Sequence, residues 1–320
     1  MADVFITPTV IAQRALATLY NETVLAAIVY RDFDADFTGK IGDTVNVRVP
    51  VVFTADEFDR STGIQIQDAR EDRFPLKLDK VADVSFAVTS EDMTLRIDDF
   101  AGRLLQPAME AISQKIDADI ADELITASQQ TAASGAADLP SQQAGGGTCS
   151  SADSAEPLKA LVCARVKLGR AKLPTTNRYA VISPEGAGAA LSGHLIVQAN
   201  QRGDTDGLIE AAIGRKFGFD TFETQQLGDD TSGSGRHGAD GVAFHRDAVA
   251  LATRTLELPL GKRDPDGTYV GAATAQYKGM GLRVVYDYDI NHKQDVVSVD
   301  FLYGIRAVRP YGAVQLDLGV

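Results

Sequence analysis

Reactive and redox-active residues are scarce in this sequence. It contains no tryptophan, four histidines and only two cysteines, Cys149 and Cys163. Two cysteines provide neither a disulfide framework nor the spacing of a metal site, and such low usage is typical of a reducing cytoplasm. The sequence therefore predicts no cofactor, no metal site and no network of disulfides.

Long apolar runs are also missing. The longest early run, Val24 to Tyr30, is far shorter than the roughly 20 residues that cross a bilayer. The first ten residues, MADVFITPTV, lack a basic segment followed by a long apolar one, so we expect no signal peptide. No membrane partner is predicted.

Positive charge is in deficit. The chain of 320 residues has 31 Lys and Arg against 44 Asp and Glu, a net charge of −13. An acidic surface repels phosphate and offers little of the counterion release that drives DNA affinity, so direct nucleic-acid binding is disfavoured. The same charge keeps an abundant protein soluble.

A dinucleotide-type GxGxxG spacing occurs at Gly233, Gly235 and Gly238. That fingerprint cradles phosphate only between a hydrophobic strand and a helix N-terminus. Here a polar stretch precedes the glycines and no clear helix follows. We interpret the segment as a loop.

Three aspartates, Asp32, Asp34 and Asp36, have the opening spacing of a calcium loop. That loop needs glycine at its sixth position and glutamate at its twelfth. Phe37 and Asp43 occupy those positions, so a strand with one buried face is the preferred interpretation.

The histidines form no compact ligand pair. His194, His237, His245 and His292 are widely separated, and neither an HExxH nor a GxSxG motif occurs. A Ser–His–Asp or Cys163–His–Asp site stays open at this stage, because triad partners are distant in sequence. We predict no catalytic residue, and a hydrolase is the least favoured alternative.

The first part of the chain predicts a helix, an extended segment and a hairpin. Residues 7–20 carry apolar residues at helical spacing after a Thr-Pro start. Residues 21–36 are expected to be extended. Residues 42–52 (GDTVNVRVPVV) and 73–88 alternate polar and β-branched residues, which is typical of strands. The polar residues between them would form a long projecting tip.

The strongest helical pattern covers residues 97–131. Because Pro107 removes a hydrogen bond from a continuous helix, we predict a short helix ending at Leu105 and a long one beginning near Pro107. Four acidic residues of the long helix are expected to face solvent or a neighbour: Asp117, Asp119, Asp122 and Glu123.

The rest of the chain mixes helices and strands. Residues 134–154 are rich in Gly, Ser, Ala and Gln and predict a flexible surface loop. A helix over 157–172, a strand over 178–182 and a helix from Pro184 follow. Strand-rich segments close the chain at 242–258, 269–290 and 296–316. Runs of strands and helices without βαβ alternation predict an α+β fold.

Three segments resemble tailed-bacteriophage major capsid proteins of the Hong Kong ninety-seven fold. They lie at residues 6–59 (including TGKIGDTVNVRVP), 75–124 (including DDFAGRLLQPAMEAISQKIDADIADEL) and 287–314 (ending DFLYGIRAVRPYGAV). The chain is most similar to the coat-protein branch whose members often carry an inserted extra domain. The room after the Pro184 helix is too small for a large insertion.

The resemblance implies the layout of the chain. Residues 1–40 would be an N-terminal arm and 41–90 the extended β-hairpin called the E-loop. Residues 91–154 would be a peripheral domain with a long spine helix, 155–245 an axial domain, and 246–320 the closing strands of the peripheral domain. The closing strands would pair with the base of the hairpin.

The resemblance also implies the function. The chain would be the major capsid protein of a phage head, and not an enzyme. It would assemble into pentamers and hexamers of an icosahedral shell that encloses double-stranded DNA without binding it specifically. Scaffolding, portal and decoration proteins are the expected partners, and host cytoplasm the location before assembly. A cellular encapsulin-type nanocompartment shares this fold and is the main alternative.

Side chains near the hairpin tip are the candidates for contact between subunits. Charged pairs there would set register, since each exposed pair contributes only ~0–1 kcal/mol. The candidates are Phe53, Asp56, Glu57, Phe58, Asp59, Arg60, Asp68, Arg70 and Glu71.

Overall fold

A computed structural model describes most of the chain. The described residues are 8–31, 44–49, 55, 57–58, 60–61, 63–64, 66, 72–89, 104–133, 148–150, 158–192, 215–227, 239–259, 271–277 and 280–319. The three aspartates with calcium-loop spacing and the glycines of the GxGxxG spacing lie outside them, as do His194 and His237.

The N-terminal segment is helical and packed against the body. Helix α1 (Pro8–Glu22) begins with the proline, as predicted, and its apolar face is buried against the rest of the chain. A short helix α2 (Leu25–Ile28) follows, and Tyr30 then exchanges backbone hydrogen bonds with Val249 and Leu251. The prediction of an extended stretch from residue 21 is therefore wrong for residues 21–28. The cause is a capping contact from the side chain of Asp117, far along the chain.

The predicted hairpin is present at residues 44–77. Strands β1 (Thr44–Val49) and β2 (Asp72–Lys77) are antiparallel, with Thr44 opposite Lys77 and Val49 opposite Asp72. Strand β3 (Lys80–Thr89) follows after two residues but joins another sheet. The single strand predicted over 73–88 is thus two strands, because the chain changes pairing partner at residues 78–79.

The first five-stranded sheet holds β3 and the closing strands. These strands are β8 (Val249–Arg254), β9 (Ala272–Tyr277), β10 (Met280–Asp289) and β11 (Gln294–Ala307). The order is β3-β11-β10-β9, all antiparallel, and β8 pairs with the far end of β11. The prediction that the closing strands pair with the base of the hairpin is confirmed for β3, the later part of the predicted 73–88 strand, whereas β1 and β2 form a separate sheet.

The long helix predicted from Pro107 is confirmed as α3 (Gln106–Ala133). Its 28 residues span about 42 Å at ~1.5 Å per residue. Pro107 lies in its first turn, where the missing N–H costs nothing. The apolar face, which includes Met109, Ile112, Ile116 and Ile120, is buried together with α1, α2 and the first sheet.

The second five-stranded sheet lies between helices. It contains β4 (Thr148–Ser150), β12 (Ala313–Asp317), β7 (Gly241–His245), β5 (Arg178–Ile182) and β6 (Asp220–Glu223), in that order. Helices α4 (Lys159–Arg170) and α5 (Pro184–Ser192) pack on one face, and α3 packs on the other. Burial on both faces explains why β5 and β7 have nearly continuous apolar sequences.

The two cysteines are joined in a disulfide, which the sequence analysis did not predict. Cys149 on β4 and Cys163 on α4 have Cα atoms 5.9 Å apart, a normal separation for a disulfide. The prediction of a flexible loop over 134–154 is also wrong at residues 148–150, which pair in parallel with β12. Residues 134–147 and 151–154 lie outside the described residues.

Candidate assembly surfaces

The hairpin tip exposes apolar side chains. Four large apolar residues are the most exposed among those that the structure describes: Ile66 at 94%, Ile64 at 82%, Ile290 at 77% and Phe58 at 65%. All of them except Ile290 belong to the hairpin. Exposed large apolar side chains close together in sequence indicate a surface that another molecule covers. We call Phe58, Ile64 and Ile66 the apolar tip.

Three of the nine predicted contact residues lie in the described part of the chain. Glu57, Phe58 and Arg60 are all exposed on the hairpin, as a contact role requires. The other six lie outside the described residues: Phe53, Asp56, Asp59, Asp68, Arg70 and Glu71. The prediction emphasised charge and missed Ile64 and Ile66, although two isoleucines at alternate positions of a polar segment were a readable signal of one apolar face.

The base of the hairpin is fixed on the first sheet. Leu76 and Leu78 are fully buried with Ala250, Ala252 and Leu302 in a small separate core. Gly304 of β11 lies directly under this base, where a Cβ atom would collide with the backbone oxygen of Lys77. The direction in which the hairpin leaves the body is therefore determined by close backbone packing.

Asp117 of α3 binds the N-terminal segment instead of facing solvent. Its carboxylate accepts hydrogen bonds from the backbone N–H groups of Val24 at 3.0 Å, Leu25 at 3.1 Å and Ala26 at 3.3 Å. The side chain thus occupies the position of a cap for α2 and satisfies its free donors. Burial raises the pKa of Asp117 to about 6, although the three N–H donors act to lower it.

Two further acidic residues of α3 also have partners within the chain. Asp119 is buried, accepts a hydrogen bond from Lys115 at 2.8 Å, and receives the hydroxyl hydrogen bond of Tyr303. Burial tends to raise its pKa, but Lys115, Tyr303 and the charge of Lys80 hold that pKa below its usual value. Glu123 accepts a hydrogen bond from the N–H of Ala307 at 2.8 Å.

The prediction that these acids face solvent or a neighbour is therefore wrong for Asp117 and Asp119, and it holds only in part for the half-buried Glu123. Asp122 is exposed, in agreement with it. The buried Asp117 and Asp119 and the half-buried Glu123 connect the long helix to α2 and β11.

Replacing Asp117 with asparagine should remove a pH dependence of stability. A pKa of about 6 in the folded chain, against 3.8 in the unfolded chain, means that protonation favours the fold. The contribution is complete below pH 4 and is lost as the pH rises through 6. Between pH 7 and pH 5 the free energy of unfolding of the wild type should therefore rise by roughly 1 kcal/mol relative to Asp117→Asn.

Urea denaturation of the unassembled chain at each pH measures this difference. Asp122→Asn, at the exposed aspartate of the same helix, is the matched control and should keep the wild-type pH dependence. An Asp117→Asn variant whose stability follows the wild type across this range would contradict the assignment.

No described cluster has the composition of a reactive centre. His245 is buried with its Nδ1 3.3 Å from the N–H of Asp247, and burial lowers its pKa, which favours the neutral ring. Exposed His292 contacts Asp289 at 2.5 Å, and this contact holds the pKa of Asp289 below its usual value. With Cys163 in the disulfide, the Cys163–His–Asp alternative has no thiol in this structure.

The described residues contain neither a candidate metal site nor a candidate membrane span. Within the ranges set out above, no group of three or more His, Cys, Asp or Glu is arranged to hold a metal ion. No helix in those ranges is long and apolar enough to cross a membrane.

Solved structures share this architecture. A chain from Mycobacterium phage Che8 has a TM-score of 0.65 and 21% identity, with 92% of this chain and 91% of that chain covered. The mature capsid of bacteriophage PhiM1 gives 0.64 and 14%, covering 92% and 86%. The capsid of a native GTA particle gives 0.58 and 13%, covering 92% and 89%. The fold is therefore that of viral capsid chains, the predicted α+β fold of the Hong Kong ninety-seven type.

Family membership follows from the sequence itself. The model of the family described as phage capsid protein matches residues 77–313, so this chain belongs to that family. A comparison with curated proteins found no match. The prediction of a major capsid protein, a subunit that assembles with copies of itself into the shell of a virion head, is confirmed.

Proposed function

We propose that the chain assembles as pentamers and hexamers into the head that encloses double-stranded DNA, with each hairpin lying on a neighbouring copy. The exposed apolar tip carries this proposal. Phe58, Ile64 and Ile66 are exposed to water in the segment between β1 and β2, and the base of that hairpin is buried. Burial of each such side chain is worth about 1.5–3 kcal/mol, and repetition over many copies makes the sum large.

The same proposal assigns a structural role to each segment of the chain. The segment boundaries at residues 40, 90, 154 and 245 would separate arm, E-loop, peripheral domain, axial domain and closing strands. Residues 8–31 are already folded on the body, so contacts made by the arm would involve the remaining residues of 1–40. The nine predicted contact residues near the hairpin tip remain candidates for contact with the next subunit.

The partners in this proposal follow from the role. Scaffolding and portal proteins would guide assembly, decoration proteins would bind the finished shell, and assembly would take place in host cytoplasm. The net charge of −13 supports enclosure of DNA without specific binding, because an acidic wall does not hold phosphate. The chain would catalyse no reaction.

Removing the apolar tip should abolish assembly and leave the fold intact. The variant carries Phe58→Ser, Ile64→Ser and Ile66→Ser, and its yield of closed shells should fall at least tenfold because the three side chains no longer gain from burial. Its thermal unfolding before assembly should match the wild type, since all three side chains are already in water.

The matched control keeps the tip apolar. Phe58→Leu, Ile64→Val and Ile66→Val should assemble nearly as well as the wild type, because volume-conserving apolar changes are tolerated. Particle yield by sedimentation and electron microscopy measures both variants. Wild-type yields from the serine variant would show that the tip is not an inter-subunit contact.

A further inference from the structure

One segment of this acidic chain is strongly basic. From Pro157 to Pro184 there are six Lys and Arg and no Asp or Glu, in a chain of net charge −13. Four of the six lie on α4: Lys159, Arg165, Lys167 and Arg170. The positive charge is therefore concentrated on one helix.

The outer side of α4 combines these cations with exposed apolar residues. Val162 is 41% exposed and Val166 49%, while the opposite side is buried against the second sheet. Lys159, Val162, Val166 and Arg170 are spaced by three, four and four residues, which places them in one row along the helix. We call this row together with Arg165 the basic face.

Two of the four cations of α4 are positioned by contacts to backbone oxygens. The Nη1 of Arg165 donates to the carbonyl of Phe217 at 2.7 Å, and the Nζ of Lys167 donates to the carbonyl of Thr148 at 2.9 Å. Among the residues that the structure describes, neither Arg165 nor Arg170 contacts a carboxylate. The positive charges of Arg165 and Arg170 are thus not neutralised by a described carboxylate.

An acidic protein surface fits this face better than nucleic acid does. Phosphate binding would leave Val162 and Val166 without an apolar partner. A protein segment with both acidic and apolar side chains would match both features of the face.

The hairpin tip of this same chain has that composition. Residues 53–72 contain six acidic and two basic residues, and exposed Glu57 lies next to Phe58 of the apolar tip. Charge and apolar surface therefore complement the basic face in both respects.

We propose that the basic face on α4 of one copy binds the acidic hairpin tip of a neighbouring copy, with Val162 and Val166 against the apolar tip. This inference rests on the proposed function, to which it adds the surface that receives the hairpin. Opposite charges on the two surfaces steer the approach and set the register, and the apolar contact supplies the affinity.

Charge reversal and its compensation test the pairing. Arg165→Glu with Arg170→Glu should lower the association of copies at least tenfold, and Glu57→Lys with Asp59→Lys should do the same. The chain that carries all four changes should regain association to within about threefold of the wild type. Sedimentation velocity over a range of concentrations measures oligomers of every size.

Two controls make the result specific. Arg14→Glu with Arg306→Glu makes the same change in net charge at exposed positions of α1 and β11, and should associate like the wild type. Thermal unfolding of each variant shows whether it is folded. Arg165→Gln with Arg170→Gln should give an intermediate loss, since it removes attraction without adding repulsion.

Several outcomes would overturn the pairing. Association of the Arg165→Glu, Arg170→Glu chain at the wild-type level is one, and a folded four-change chain that does not recover is another. A third is binding of a short DNA duplex that this reversal abolishes while association stays unchanged, which would assign the face to nucleic acid.

The proposed function can fail separately. If the wild type associates but never closes into shells, the shell assignment is contradicted, whereas loss and recovery of association still decide the pairing. If shells form equally well in wild type and reversal, the shell assignment stands and the pairing is wrong.

Discussion

Replacing Gly304 with alanine should destabilise the chain by roughly 3 kcal/mol or more and prevent shell formation. An added Cβ would meet the backbone oxygen of Lys77 and come within 3.2 Å of the Cα of Leu78. Both are backbone atoms, so relief requires the strand or the hairpin base to move. Overpacking of this kind typically costs 1–3 kcal/mol, and more where the backbone itself must shift.

The predicted effect on assembly follows from the position of Gly304. Strand β11 pairs with β3 as far as Tyr303, and its last residues pair with β8. Gly304 lies in this second ladder, opposite Ala252. Leu76 and Leu78 of the hairpin base pack on this region. A shift at the base would displace β1 and β2, and with them the segment that carries the apolar tip.

Gly188→Ala is the control for the general effect of adding a methyl group. Gly188 lies in α5 and an added Cβ there would meet nothing within 4 Å. This variant should be as stable as the wild type or up to ~1 kcal/mol more stable, since alanine favours a helix over glycine. Urea denaturation and particle yield are the measurements. A Gly304→Ala chain with wild-type stability would contradict the close packing described here.

Reducing the disulfide should cost about 3 kcal/mol of stability, the typical contribution of a bond that closes a loop of this length. Cys149 and Cys163 are 14 residues apart in sequence. Their bond joins β4, a strand of three residues at a sheet edge, to α4. Because a strand of three residues makes few other contacts, β4 should be the first element to detach when the disulfide is lost.

The chain with Cys149→Ala and Cys163→Ala separates the bond from other effects of reductant. Dithiothreitol should lower the unfolding free energy of the oxidised wild type and leave that of the double variant unchanged. Peptide mapping without reduction should identify the Cys149–Cys163 linkage in particles exposed to air. Two free thiols in such particles, together with no effect of reductant, would show that the bond does not form.

Local patterns in the sequence were sufficient for the main elements. Apolar spacing and Pro107 predicted the beginning of α3 to within a residue, and β-branched alternation predicted the hairpin strands. These features depend on periods of a few residues, which the sequence displays directly.

The errors concern contacts between distant parts of the chain. Asp117 was expected in solvent because charged residues usually are, but its partners at residues 24–26 lie more than 90 positions away. The same contact explains why the segment after Glu22 is helical. The division of residues 73–88 into β2 and β3 also depends on distant partners, because β2 pairs with β1 and β3 pairs with β11. The alternating pattern continues across the break and therefore does not reveal it.

The candidate surface was only partly predictable for a related reason. The acidic character of the hairpin is visible in composition, but exposure of Ile64 and Ile66 depends on their standing clear of the body. The helix predicted over 157–172 contains Val162 and Val166, yet which side of that helix is buried is decided by the second sheet.

Electron microscopy of the purified wild-type chain tests the central claim most directly. The account predicts closed icosahedral shells built from pentamers and hexamers, in which density for each hairpin lies on the adjacent subunit. A chain that stays monomeric at every protein concentration, with salt, crowding agent and reductant varied, would contradict it.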